Sequence, residues 1–221
     1  MSGGLDSCVT AAISRQNYEL CAIHANYGQR TEKRELAMFN AQADFFEVAD
    51  RLVVDLNYFE AIGGSSLTDL TMEVPDQDLN SRNIPNTYVP FRNAHFLSIA
   101  TSWAEVIGAE RIFIGALWED SSGYPDCTSE YYKAFNKLIN IGTRPSTNIK
   151  VETPLIDLRK SQIIKKGVAL GAPFELSWSC YRLEQPACGT CDSCALRLRA
   201  FAEANLIDPI AYEDRAHYAK V

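Results

Sequence analysis

Apolar positions along the chain change their period several times, and each change marks an element. Residues 6–16 (DSCVTAAISRQ) carry apolar groups at helical spacing after small polar residues able to cap a helix start. A short apolar run at 20–25 (LCAIHA) predicts a buried strand, 32–46 a helix rich in Ala, Glu and Lys, and 51–56 (RLVVDL) a second strand. From 57 to 90 the periodicity fades into Gly63-Gly64-Ser65-Ser66, acidic and amide residues and three prolines, which predicts a long excursion. Regular patterning resumes with a helix over 93–107 and a strand at 111–116 (RIFIGA), apolar enough to be buried on both faces, with polar residues clustered at its carboxyl end. Helices follow over 129–141, 160–170 and 192–204, with a strand within 151–156.

Strands alternating with helices predict an α/β fold with a parallel, doubly wound sheet, because parallel neighbours need crossovers and each crossover helix covers a face. Ligands of such sheets collect outside the carboxyl ends of the strands. A boundary is expected near Glu175, giving a nucleotide-binding domain over 1–174 and a cysteine-bearing segment over 175–221 packed on it.

Charge narrows the function classes. A net charge of −7 and a pI near 5.0 argue against general attraction to a nucleic-acid backbone. No stretch is apolar enough for a membrane, and no basic region leads into an apolar run at the start, so a cytoplasmic protein is expected.

The first chemistry-bearing stretch is SGGLDS at 2–7. Gly3 and Gly4 let backbone N–H groups approach an anion with no side chain between, and Ser2 and Ser7 add hydroxyl donors. The helix that follows points the positive end of its dipole, about half an elementary charge, at the same place. Asp6 would repel a phosphate unless magnesium lay between them, which suggests a metal–nucleotide complex. SGGLDS resembles the PP-loop of the ATP pyrophosphatases, which use ATP to adenylate an oxygen and release pyrophosphate. That resemblance makes Ser2, Gly3, Gly4, Leu5, Asp6, Ser7 and Cys8 the nucleotide-binding set. Such a loop normally follows a central hydrophobic strand, yet only Met1 precedes it. Met1 is therefore expected to be that strand's last residue, and the structure to show a gap there or another segment in its place.

Four of the seven cysteines, Cys180, Cys188, Cys191 and Cys194, fall at C-x7-C-x2-C-x2-C. Four thiolates satisfy a closed tetrahedral zinc site, which is structural because no position is left open. The same spacing suits an iron–sulfur cluster, and Cys191 with Cys194 also suits a redox pair.

Between loop and cysteines lie NTYVPFRN (86–93) and SGYPDC (122–127), each combining turn formers, aromatics and a charge. Tyr27, Gln29 and Arg30 follow the first strand at the edge where ligands collect, and Arg30 suits two-pronged pairing with a carboxylate or phosphate. His24, inside an apolar run, reads as a satisfied core imidazole. Lys160, at the start of a helix after PLIDLR, is placed to neutralise phosphate charge.

Taken in order, SGGLDS, NYGQR, NTYVPFRN, SGYPDC, TPLIDLRK and the cysteine cluster resemble the 7-cyano-7-deazaguanine synthase (QueC) family over nearly the whole chain. The resemblance implies a fold of the adenine nucleotide alpha hydrolase-like (HUP, PP-loop) type and the conversion of 7-carboxy-7-deazaguanine, ammonia and ATP to the 7-cyano compound. It implies Mg²⁺ with ATP, a structural Zn²⁺ and a homodimer. Asp6, Ser7, Arg92 and Lys160 would be catalytic, and Tyr27, Gln29, Arg30, Arg92, Asn93, Tyr124 and Asp126 would face the substrate, Asp126 taking its guanine-like amidine edge. A tRNA thiolase with the same loop and a nonenzymatic zinc-ribbon module are the rival classes. The family pattern leads one to expect glycine at 91 and an acidic residue at 118. This chain has Phe91 and Trp118, two bulky groups expected to reshape the pocket.

Overall fold

The computed structural model describes residues 1–78, 83–117 and 123–215. In chain order its elements are α1 (Leu5–Ser14), β1 (Ala22–Asn26), α2 (Glu32–Phe45), β2 (Arg51–Asp55), α3 (Tyr58–Ile62), α4 (Arg92–Ile107), β3 (Arg111–Phe113), α5 (Ser129–Gly142), β4 (Lys150–Glu152), α6 (Lys160–Ala169) and α7 (Asp192–Glu203). All strand pairing is parallel. β1 pairs with β2 in the register Ala22 to Arg51 through Asn26 to Asp55, and β3 with β4 in the register Arg111 to Lys150 through Phe113 to Glu152.

Among the described residues the strands form two separate pairs rather than one sheet. A cleft of about 560 Å³ runs between them, lined on one side by Ile23 and Ala25 of β1 and on the other by Ile112 and Phe113 of β3. The Met1 amino group donates to the Ile23 carbonyl and the Met1 carbonyl meets His24 Nδ1 at 3.1 Å, so Met1 alone lies along the edge of β1. The cleft also explains why residues 111–115 are only half-buried and the strand ends at Phe113, where burial on both faces was expected. One of its edges has no neighbour among the described strands.

The apolar stripes of the helices form the core. Leu5, Val9, Phe39, Leu155, Ile163 and Phe201 share one cluster, so α1, α2, α6 and α7 are packed around common side chains and the core crosses residue 175 without a break. Gly167 permits this closeness: a Cβ there would lie 2.4 Å from the Phe174 ring. A second cluster joins α4, α5 and β4 through Leu97, Phe135, Ile139 and Val151. The excursion contains the short helix α3, which its weak periodicity concealed. The excursion's 65–72 turns are fastened by Arg30, whose guanidinium donates to the carbonyls of Ser66 (2.7 Å), Asp69 (3.0 Å) and Met72.

The cysteine segment is locked by a buried ion pair. Arg197 on α7 and Asp208 are both fully buried, joined by bonds of 2.7 and 2.9 Å, and Arg197 also donates to Ser177 and to the Phe174 carbonyl. A charge taken so far from water needs this density of partners.

Candidate active site

The loop at 2–7 is shaped by its neighbours. Gly3 sits at φ +78°, and a Cβ there would fall 2.3 Å from the Glu35 carbonyl oxygen and 3.0 Å from the Phe39 nitrogen, both backbone atoms of α2. Only glycine accepts that approach. The Gly3 carbonyl is gripped by Gln42 Nε2 (3.0 Å) and the Trp178 amide (2.9 Å), which ties the loop to α2 and to the segment before the cysteines. Gly115, beyond β3, closes the other side: a Cβ there would meet the Asp6 backbone at 2.8 Å.

Gly4 is the N-cap of α1, and no side chain caps the helix, where Asp6 or Ser7 were the natural capping residues. Ser7 Oγ turns instead to the Gly4 carbonyl (3.0 Å) and accepts from the Ser2 amide and hydroxyl (3.2 Å each). The uncapped amino end of a ten-residue helix is a ready anion site. Leu5 and Cys8 point inward as core residues, and burial pushes the Cys8 thiol up to about 12, so it stays protonated.

Lys160, the first residue of α6, meets Asp6 Oδ2 at 2.6 Å, which brings a cation to the mouth of the loop. The other oxygen, Asp6 Oδ1, is buried with no protein partner. A hard carboxylate oxygen orphaned beside a phosphate-type turn fits magnesium.

Deeper in the cleft stands Arg92, at the start of α4. Its Nη1 donates to Tyr27 Oη (2.8 Å), its guanidinium lies 5.0 and 5.6 Å from the centroids of the Tyr27 and Phe96 rings, and its Nε is buried without a partner. Arginine keeps its charge here, so it is a preformed anion receptor. Asn93 and Tyr124 also line the cleft, Tyr124 hydrogen-bonded to Thr87 at 2.9 Å.

Three expected substrate contacts point elsewhere. Arg30 is committed to the 65–72 turns, away from this cleft. Gln29 braces the site from behind, accepting from the Tyr27 amide (2.8 Å) and donating to Glu35 (3.2 Å). Asp126 is buried beneath α4, where Oδ2 accepts from the Asn93 amide at 3.0 Å and so serves the helix amino end. Phe91 is 59% exposed and does not line the cleft, so it does not reshape it. Its φ of +57° accounts for the expectation of glycine at that position. Trp118 and Ser122 lie outside the described residues.

Glu35 escaped the sequence reading. It lines the cleft from α2, accepting from Thr31 Oγ1 (2.8 Å) and Gln29 Nε2 (3.2 Å). Burial pushes its carboxyl up to about 7, against the pull of those two bonds and of Arg92. An acidic residue three and four positions before buried Met38 and Phe39 was the available signal. His24 is a satisfied core imidazole as expected, held at Nε2 by Asn26 (3.1 Å) and pushed down to about 4 by burial.

The four cysteines converge: all are buried and their sulfurs lie within 4.8 Å of one another. Cys188 and Cys194 sulfurs are 3.9 Å apart, close to the ~3.8 Å that tetrahedral zinc with Zn–S near 2.3 Å requires. Amides of Arg182, Leu183 and Cys188 point at the Cys180 sulfur (3.3–3.4 Å), an arrangement suited to thiolate. Gly189, at φ +83°, makes the turn between two ligands where the Asp214 carbonyl leaves no room for a side chain. The donor set and spacing fit a metal ion.

Comparison with known proteins agrees with this geometry. The family model for queuosine biosynthesis protein QueC matches residues 1–205. A protein of Chlorobium phaeobacteroides named 7-cyano-7-deazaguanine synthase is 59% identical over 219 residues, covering 99% of this chain and 97% of its own. Proteins of the same name from Chlorobium chlorochromatii (59% identical, 96% of its length) and Chloroherpeton thalassium (57%, 97%) also match over 99% of this chain. With the glycine turn at 2–7, the cleft and the cysteine cluster in one parallel α/β chain, this protein belongs to the QueC family.

Proposed function

We propose that this chain converts 7-carboxy-7-deazaguanine, ammonia and ATP to 7-cyano-7-deazaguanine. The observation that carries the reading is the convergence of an uncapped helix end, the Asp6–Lys160 pair and the half-committed Arg92 on one cleft, in a chain 59% identical to a protein of that name. A carboxylate resists attack by ammonia because its carbon is electron-rich, so it must first carry a leaving group. The loop amides and Lys160 hold the triphosphate while Arg92 holds the substrate carboxylate against the α-phosphorus, where a carboxylate oxygen forms the new P–O bond and pyrophosphate leaves with the electrons of the one that breaks. Ammonia then forms the C–N bond as AMP departs with the C–O electron pair, leaving the amide. A second adenylation, at the amide oxygen, lets that oxygen leave with AMP as the nitrogen loses its protons and the nitrile forms. Asp6 Oδ1 is the residue atom suited to magnesium, which offsets phosphate charge when bound.

In this reading Cys180, Cys188, Cys191 and Cys194 hold a structural zinc, and the chain is a cytoplasmic homodimer acting on small molecules, with residues 175–221 a segment packed on the nucleotide-binding domain of 1–174. The burial of Cys191 and Cys194, at 0% and 1% exposure, counts against a sulfur-carrying thiolase. The test is mass spectrometry of the product formed from 7-carboxy-7-deazaguanine, ATP, magnesium and ammonium. Nitrile accompanied by AMP and pyrophosphate is expected, and zinc-loaded protein that yields none would sink the reading. Metal analysis is expected to find zinc in the wild type and its loss in Cys188→Ser, whereas a brown, iron-containing protein would refute zinc.

A further inference from the structure

A guanine-type ring presents its ring N–H and its exocyclic amino group side by side, two parallel donors that a single carboxylate matches with its two oxygens. Such a receptor must be a carboxylate that lines the cleft near the carboxyl ends of the strands and is not already consumed by a cation. Among the described residues, five carboxylates line the cleft: Asp6, Glu19, Glu35, Glu110 and Asp192. Asp6 is bound to Lys160, and Asp192 opens α7 directly after Cys191, inside the cysteine segment, where one oxygen accepts from the Asp78 amide at 3.1 Å. Glu19 and Glu110 precede β1 and β3, at the strand ends opposite the loop. Asp126, which the sequence favoured for this task, does not line the cleft: it lies beneath α4, where Oδ2 accepts from the Asn93 amide.

Glu35 remains. It sits on the helix that packs against the loop, with its own backbone carbonyl beneath Gly3. Thr31 and Gln29 each give one of its oxygens a single hydrogen bond, which fixes the carboxylate and leaves each oxygen further lone-pair capacity. Among the described residues no ion-pair partner neutralises it at contact distance: Arg92 acts on it through space while donating to Tyr27. A carboxylate held by neutral donors beside an anion receptor is complementary to a flat molecule with an amidine edge at one end and a carboxylate at the other.

We infer that Glu35 is the specificity determinant of the cleft, its carboxylate accepting both donors of the substrate's amidine edge. The inference rests on the activity proposed above and assigns which group of the substrate this side chain reads. A ring lacking the exocyclic amino group leaves one Glu35 oxygen desolvated and unpaired, so discrimination should be large.

The experiment compares 7-carboxy-7-deazaguanine with the same molecule bearing hydrogen in place of the exocyclic amino group. In the wild type, KM is expected to rise on the order of 10- to 100-fold for the analogue. In Glu35→Gln, which keeps the shape but turns one acceptor into a donor, KM for the natural substrate should rise by a similar factor and the preference between the two rings should collapse. KM for ATP should stay unchanged in both. Retained discrimination in Glu35→Gln would overturn the inference, as would a fall in kcat with ring preference intact.

A wild-type readout covers the case in which the variant does not fold. Ionised Glu35 accepts two bonds and protonated Glu35 only one, so KM for the amino-bearing ring should rise as pH falls through about 7 while KM for the analogue does not follow. The groups facing this carboxyl are Arg92 on α4, Tyr27 after β1 and Glu32 on α2, and none of them changes between the two substrates. Parallel pH profiles for the two rings would refute the assignment. Failure of the activity itself is separable, because calorimetric binding of 7-deazaguanine to wild type and Glu35→Gln reads the amidine contact without turnover.

Discussion

Replacing Gly3 with alanine separates two costs that glycine avoids in the turn at 2–7. At φ +78° any residue with a Cβ is strained by about 1–2 kcal/mol. In addition, the new Cβ would lie 2.3 Å from the Glu35 carbonyl oxygen and 3.0 Å from the Phe39 nitrogen, and helix backbone does not yield as a side-chain tip would. Moving the loop to relieve that overlap strains the grip of Gln42 and Trp178 on the Gly3 carbonyl. Overpacking of this kind adds about 1–3 kcal/mol, for a total of about 2–5 kcal/mol. The matched control is Gly108→Ala: its φ is +72° but nothing lies within 4 Å of the added methyl, so it carries the conformational cost alone. Equilibrium denaturation of both variants reads the difference. At roughly 2–4 °C per kcal/mol for a chain of this size, Gly3→Ala should melt about 4–20 °C below wild type and Gly108→Ala about 2–8 °C below. Calorimetry should also show Gly3→Ala losing magnesium–ATP affinity that Gly108→Ala keeps. Equal losses of stability in the two variants, to within about 0.5 kcal/mol, would refute the claim that close approach to α2 dictates glycine at position 3.

Other positions give further tests. Phe91 occupies the left-handed region at φ +57° with its ring 59% exposed, so Phe91→Gly should be more stable than Phe91→Ala by about 1 kcal/mol, with KM values matching wild type in both. Asp208→Asn strips the buried Arg197 of its counter-charge and should cost about 3–5 kcal/mol by denaturant titration; a loss below about 1 kcal/mol would refute the role given to that pair. Glu35, with its carboxyl raised to about 7, binds protons more readily folded than unfolded. The stability it contributes is fully present below its unfolded pKa of ~4.5 and is lost as pH rises through about 7, so ligand-free wild type should lose stability relative to Glu35→Gln between pH ~5 and ~8. Parallel stability curves would refute the shift.

The elements were legible wherever a repeating pattern spans several turns. The helices α2, α4, α5, α6 and α7 lie within one or two residues of their expected limits, because the apolar stripe that reveals a helix is the same stripe it buries. Short strands were less legible: 111–116 and 151–156 shrink to three residues each, since Pro154 interrupts one and the cleft leaves the other with an unpaired edge. The cysteine cluster was legible because chelation is mostly local, with three ligands within seven residues at 188–194. The substrate side of the cleft was the least legible part. Arg30, Asp126 and Glu35 are all charged residues next to elements, and nothing in their local spacing says which will meet backbone and which will meet solvent.

By itself the sequence determined the parallel α/β class, the glycine turn at 2–7 and the tetrad of thiols, since each depends on short-range periodicity, backbone freedom or ligand spacing. The tertiary structure decided the allocation of charge. Folding brought the Asn93 amide onto Asp126 and the carbonyls of residues 66–72 onto Arg30, while leaving Glu35 and Arg92 facing the cleft. The physical reason is that a polar group's role depends on whether a partner arrives from elsewhere in the chain, and here the partners come from 33 and 36 residues away.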